Sequence, residues 1–240
     1  MTTTDRFESG DVAELYALLS RCFEKPDESF HEALRSGRLD DELDERLAEV
    51  GLSAEPAPIV EDLEELRRGY RRTFEAYDGP SAPPVESVYE PWWDGRVRGI
   101  LSGPAAADMR RRFDELDVEV PDAYPEDHLA LLLEYANLLL EAGRVDAYVH
   151  FHDEHFDWIS DFATRVEETA DDPFYAWAVS VLERTIDRVG QRLLGLKPNR
   201  EPDERPNHET DDKPIREAEA EDESIRCRRR TPIEARGECE

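Results

Sequence analysis

Pro125-Glu126-Asp127-His128, followed by the apolar run Leu129–Leu140 (LALLLEYANLLL), decides how the rest of the chain is read. A helix that is apolar on nearly every face has little surface to give to water, so it belongs at the centre of a helical core. Gly143 supplies its stop. Asp127 and His128 place a carboxylate and an imidazole side by side on the first turn of that buried helix. Asp127 then either complements the helix dipole or faces a ligand; His128 either satisfies a buried backbone group or shares a polar floor with Asp127.

Outward from this run, the spacing predicts helices throughout. Val12, Leu15, Tyr16, Leu19 and Phe23 follow the start signal Ser9-Gly10-Asp11. Leu39, Leu43, Leu47 and Val50 repeat the pattern up to Gly51, and Ile59, Leu63, Leu66, Tyr70 and Phe74 make a third stripe with a charged outer face. Pro104, Met109, Phe113 and Leu116 mark a short helix. Phe151, His155, Trp158, Phe162 and Val166 share one face of another, and a last helix runs from Asp171-Asp172-Pro173 through Trp177, Val181, Thr185 and Val189. No strand alternation of useful length and no internal repeat is present. The expectation is an all-α, single-domain helical bundle over residues 1–196. From Lys197 to Glu240 prolines recur and large apolar residues nearly vanish, so this tail is expected to be disordered. Arg226, Arg228, Arg229 and Arg230 form a basic knot within it, read first as a solvated charge run.

The 240 residues carry 59 acids against 30 bases, a formal charge of -29, and only three lysines. The acids are spread along the whole chain, which favours adaptation to a salt-rich cytosol over an acidic face built for one basic partner. Such a charge repels phosphate and argues against nucleic-acid binding. The three scattered cysteines suit neither a disulfide framework nor a zinc site. No basic region followed by an apolar run opens the chain, and no apolar run approaches the roughly 18 residues of a membrane span. A cytoplasmic protein without membrane insertion is expected.

Two stretches invite a chemical reading. His150-Phe151-His152-Asp153-Glu154-His155 offers imidazoles and acids, with His152 and His155 three apart on one helix face. A metal-dependent helical enzyme using this segment is the alternative function. No HExxH motif or third ligand supports it, so no metal and no cofactor are expected; His155 is expected to cap or pack beside Trp158, with His150 and His152 solvated. Neither a GxSxG elbow nor a glycine-rich phosphate loop occurs. The second stretch, Pro80–Trp93, carries Pro80, Pro83, Pro84 and Pro91 with Tyr89, Trp92 and Trp93. Proline stiffens such a loop and lowers the entropy lost on binding, while tyrosine and tryptophan supply contact area. Either the aromatics plug the core or they grip another chain; the adjacent pair Trp92-Trp93 favours gripping.

These blocks resemble the TorD/DmsD/NarJ family of redox-enzyme maturation chaperones. Tyr70-Arg71-Arg72-Thr73-Phe74 is similar to the family's Y-x-x-L-F helix end, with Thr73 in place of leucine. Pro83-Pro84-Val85-Glu86-Ser87-Val88-Tyr89 resembles its P-P-x-x-S-x-Y loop. Pro125-Glu126-Asp127-His128 resembles its P-D-H block. His155-Phe156-Asp157-Trp158-Ile159-Ser160-Asp161-Phe162 resembles its H-L-x-x-W-x-x-x-F helix. The four occur in the family's order across residues 12–190. The resemblance implies an all-helical, non-enzymatic TorD-like chaperone. Its partner would be the apo catalytic subunit of a molybdopterin oxidoreductase of the DMSO, TMAO or nitrate reductase type, its twin-arginine signal peptide, or both. Tyr70, Phe74, Pro84, Ser87, Tyr89, Asp127 and His128 would line the client region, and Trp92 and Trp93 are added from their chemistry. A monomer and a domain-swapped dimer both remain open.

Overall fold

The helix at Leu129–Glu141 sits where its sequence demands, with Leu129, Leu132, Leu133, Ala136 and Leu140 essentially without exposed surface. The computed structural model describes residues 9–75, 80–89, 103–118, 120–121 and 123–193. Among these, the α-helices are α1 (Ser9–Phe23), α2 (Glu28–Arg35), α3 (Arg38–Glu49), α4 (Leu63–Phe74), α5 (Pro104–Leu116), α6 (Leu129–Glu141), α7 (Val145–His155), α8 (Ile159–Thr169) and α9 (Pro173–Leu193). A short 3-10 turn, Glu86–Val88, precedes α5, and no strand occurs among the described residues. The fold is all-α. The Lys197–Glu240 tail and the 196/197 boundary lie outside the described residues.

Packing follows the apolar stripes. α1 lies along α6 and also touches α3 and α9; α7 flanks α6, and α8 lies on α9. At one end Phe23, Tyr70, Phe74, Phe162 and Tyr175 form an aromatic knot, with Phe74 and Tyr175 centroids 5.0 Å apart and Phe74 and Phe162 6.1 Å apart. Edge-to-face and tilted pairs of this kind add to simple burial. Asp172 caps α9 by accepting from the Phe174 and Tyr175 amides at 3.1 and 3.3 Å. Its carboxylate crosses α4 at Gly69, where any β-carbon would fall on Asp172 Oδ2.

The structure departs from the periodicity in three places. Glu28–Arg35 forms a helix of its own, capped by Asp27, whose carboxylate accepts the Phe30 amide at 2.7 Å. The third stripe becomes helical only at Leu63, after Asp62 caps it, and Ile59 stands 69% exposed in extended chain. The stripe from Phe151 to Val166 breaks into α7 and α8. On an unbroken helix Phe156 and Trp158 would point roughly 200° apart. The break lets both enter the core, where they are 3% and 2% exposed. The Trp158 indole N–H donates to the His155 carbonyl at 2.8 Å and seals the end of α7.

Candidate functional site

The described part of the proline-rich loop, residues 80–89, is anchored from several directions. The Ala82 amide donates to Thr73 O at 2.8 Å, at the end of α4. Arg165 Nε donates to Ser81 O at 2.6 Å from α8. On the α6 side, Leu129 N donates to Pro84 O at 2.8 Å, and Val85 and His128 form an isolated antiparallel bridge. Glu86 N reaches Asp127 O at 3.2 Å, and Ser87 N reaches Asp127 Oδ2 at 2.8 Å. Pro80, Pro83 and Pro84 remove three donors from this loop, and its bonded amides go to Thr73, to Asp127 and to the turn itself.

Asp127 and His128 therefore hold the loop rather than floor an open groove. Asp127 is 0% exposed. His128 caps α6, accepting the Ala130 amide at Nδ1 across 3.2 Å, which requires that nitrogen to be unprotonated. Its ring lies 4.4 Å from Tyr124, and burial drives its pKa down to about 3. Asp127 Oδ1, Ser87 Oγ and Tyr89 Oη are buried without a hydrogen-bond partner among the described residues.

Pro84 is buried beside this anchor. Tyr89 stacks on Trp158 (5.2 Å between centroids, 19° between planes) and meets Phe162 edge-on, with the Arg165 guanidinium over its ring at 5.9 Å. Tyr70 and Phe74 are each 3% exposed, and Tyr70 Oη donates to the Phe23 carbonyl. Both are interior residues, and Phe74 meets Phe162, on which the Tyr89 ring rests edge-on. Trp92 and Trp93 lie outside the described residues.

The stretch His150–His155 does not converge on one point. His150 is exposed beside Glu154. His152 is buried, contrary to the solvated position expected, because the bend after α7 packs it on Phe156 and against the Ile186 carbonyl at 3.4 Å. Its pKa is lowered by that burial. His155 turns the other way: Nδ1 lies 2.8 Å from Glu86 Oε2 and Nε2 lies 3.2 Å from Asp108 Oδ2.

Asp108 also accepts from Arg111 and Arg112. Although partial burial opposes it, these guanidiniums hold the Asp108 carboxyl near a pKa of about 2. Arg112 continues to Glu154 at 3.0 Å while lying over the Tyr135 and Phe151 rings. Asp108, Glu154 and His155 bring one ligand-type atom each within 4.8 Å of one another. Two guanidiniums already saturate those carboxylates, so the cluster reads as an ion-pair network and does not fit a divalent cation. Beside it lies an open depression of about 580 Å³ bordered by Glu86, Asp108, Arg111, Glu154 and His155. Sequence reading placed Glu86 and His155 inside two separate blocks and left Asp108 and Arg112 unremarked. No spacing along the chain relates positions 86, 108 and 155.

A second concavity, about 210 Å³, lies where the α7–α8 bend meets α9. Phe156, Ile159 and Ile186 give it an apolar wall, and Asp153, Asp157, Glu183 and Asp187 line its rim. The carboxyls of Asp157, Glu183 and Asp187 are all raised, chiefly by desolvation, with acidic neighbours adding repulsion at Asp157 and Glu183.

A family model described as the nitrate reductase delta subunit matches residues 28–169, more than half of the chain. Among solved structures, one described as a redox enzyme maturation protein from Archaeoglobus fulgidus is similar at 22% identity and a TM-score of 0.48, covering 72% of this chain and 91% of that chain. No curated protein sequence matches.

Proposed function

We propose that this chain, which belongs to the nitrate reductase delta subunit family, is a maturation chaperone for a molybdopterin oxidoreductase. It holds the catalytic subunit in its cofactor-free form and works in the cytoplasm, before any export of that subunit. No helix of the described residues is long and apolar enough to cross a membrane.

The observation that carries this reading is that the family match spans the anchored loop, α6 and the α7–α8 bend together. The loop is presented by a rigid scaffold: its amides are tied to Asp127 and α6, and its aromatic end is stacked on Trp158. A preordered loop loses little entropy when a client docks. Pro84, Ser87 and Tyr89 lie on this loop, with Trp92 and Trp93 continuing it in sequence. Tyr70, Phe74, Asp127 and His128 act by supporting it.

The twin-arginine signal peptide of the client is the finer part of the proposal. Asp127 is a poor acceptor for an incoming guanidinium, because its carboxylate is enclosed and already bonded to Ser87. The rim of Asp153, Asp157, Glu183 and Asp187 beside an apolar wall is the better candidate, since a cation would relieve the repulsion of Glu183 by Asp187. At near-molar salt the Debye length is about 3 Å, so such contacts act only at close range.

Affinity capture of the full chain from its own cells, with the bound proteins identified by mass spectrometry, tests the main reading. Enrichment of a molybdopterin oxidoreductase catalytic subunit lacking its cofactor supports it. Capture without any protein of that class overturns it. Titration with a synthetic peptide carrying the client's N-terminal arginine pair tests the finer part: binding that weakens in Asp157→Asn with Glu183→Gln supports it, and no binding at matched salt removes it.

A further inference from the structure

At its Glu86–Ser87 turn the 80–89 loop is held by Asp127 next to α6 and by His155 at the end of α7. Glu86, on the loop, is 1% exposed. One imidazole bridges it to Asp108 on α5, at 2.8 Å through Nδ1 and 3.2 Å through Nε2. A neutral imidazole has one donor and one acceptor nitrogen, whereas an ionised carboxylate only accepts. With both acids ionised and the ring neutral, one of the two contacts must therefore set lone pair against lone pair. Both contacts are favourable only when the trio holds one extra proton, either on the ring or on a carboxyl.

We propose that Glu86, His155 and Asp108 form a one-proton latch that pins the 80–89 loop to α5 and α7, and that losing this proton releases the loop. The latch itself rests on the geometry alone. Only the consequence for client capture rests on the proposed function, and the readout below uses no client.

The surrounding charges favour keeping the proton. Asp127, from the turn before α6, and Asp157, from the α7–α8 bend, both act on Glu86 with like charge. Arg111 and Arg112 compensate Asp108, and Arg112 and Glu154 pair with each other beside the ring. Nothing basic other than His155 is hydrogen-bonded to Glu86 among the described residues. Burial is the largest influence on Glu86 and pushes its carboxyl up to about 7, against the pull of His155. Burial disfavours the imidazolium, but Glu86 and Asp108 outweigh it, and the His155 pKa ends raised. Both shifts are upward. Each group's stabilisation is thus complete below its unfolded pKa and is lost as pH rises through the folded value. The latch is closed on the acid side of neutrality and opens on the alkaline side.

Hydrogen exchange of the full chain, corrected for the intrinsic rate at each pH, reads the latch directly. Between about pH 6 and about pH 9, the amides of 80–89 should lose about tenfold of their protection relative to α6, as expected for one charge-assisted hydrogen bond. In Glu86→Gln the amide N–H can donate to Nδ1, which leaves Nε2–H to donate to Asp108 with no extra proton, so its loop should stay protected across the range. Asp108→Asn, in which the amide can donate to Nε2, should likewise flatten the profile. Constant protection in the wild-type chain overturns the latch, and so does an unshifted midpoint in either variant.

Discussion

The Asp127 carboxylate, enclosed on every side, accepts the backbone N–H of Ser87 across 2.8 Å, while the Asp127 carbonyl takes the Glu86 amide at 3.2 Å. One residue before the central helix thus dictates the path of a loop forty positions earlier in the chain. Asp127→Ala would leave the Ser87 amide buried without an acceptor. We expect a loss of about 1.5–3 kcal/mol in urea-induced unfolding, with faster proteolysis within 80–89. Asp127→Asn retains an oxygen acceptor and should lose less. Equal stability of Asp127→Ala and wild type would show that the contact does not hold the loop.

His128 sets the behaviour on the acid side. Its pKa is lowered by burial from 6.5 to about 3. The unfolded chain therefore takes up a proton near 6.5 that the folded chain refuses until near 3. Stability is full above 6.5 and declines as pH falls, at up to about 1.4 kcal/mol per pH unit from this residue alone. His128→Asn keeps a capping oxygen for the Ala130 amide without titrating. Unfolding free energies at about pH 7 and about pH 5 should differ less in the variant than in the wild type.

Phe74 contacts Phe23, Tyr70, Phe162 and Tyr175 in the interior. Phe74→Ala should cost about 3–5 kcal/mol and lower the thermal midpoint. Any loss of client binding in that variant would then follow from the fold. Tyr89→Phe removes only a hydroxyl that has no partner among the described residues, so its stability should stay within about 0.5 kcal/mol of wild type.

Gly69→Ala tests the crossing of α4 and α9. The added methyl would land on the carboxylate that caps α9. Although alanine favours helix, the variant should unfold about 1–3 kcal/mol more easily, because the cap must swing away or the helices must part. A neutral or stabilising outcome in thermal unfolding would show that Asp172 can re-seat without cost.

Most of the fold was readable from the chain because helical burial has a period. The stripes of α1, α3, α5, α6 and α9 repeat their apolar residues at helical spacing, and each became a helix. Glu28–Arg35 escaped notice because only Phe30 and Leu34 are buried in it, too few to establish a stripe. The α7–α8 break escaped because Phe151, His155, Trp158, Phe162 and Val166 fit an unbroken helix as well as a broken one. Only the competition of Phe156 and Trp158 for the same core decides between them.

At the site, Asp127 and His128 were legible as an unusual pair at the head of a buried helix, since an acid and an imidazole beside a wholly apolar run must be accounted for. Their orientation was not. Nothing in Pro125-Glu126-Asp127-His128 says whether the side chains face a ligand or a neighbouring amide.

The sequence alone determined that this chain is helical, that residues 129–140 are its centre, and that its net charge is strongly negative, because periodicity and charge are properties of the order of residues. Tertiary structure alone decided that Asp127 serves Ser87, that His155 joins Glu86 to Asp108, and that Tyr70 and Phe74 are interior. Such pairings depend on angstrom-scale distances between positions 40 to 70 residues apart, and packing of the helices sets those distances.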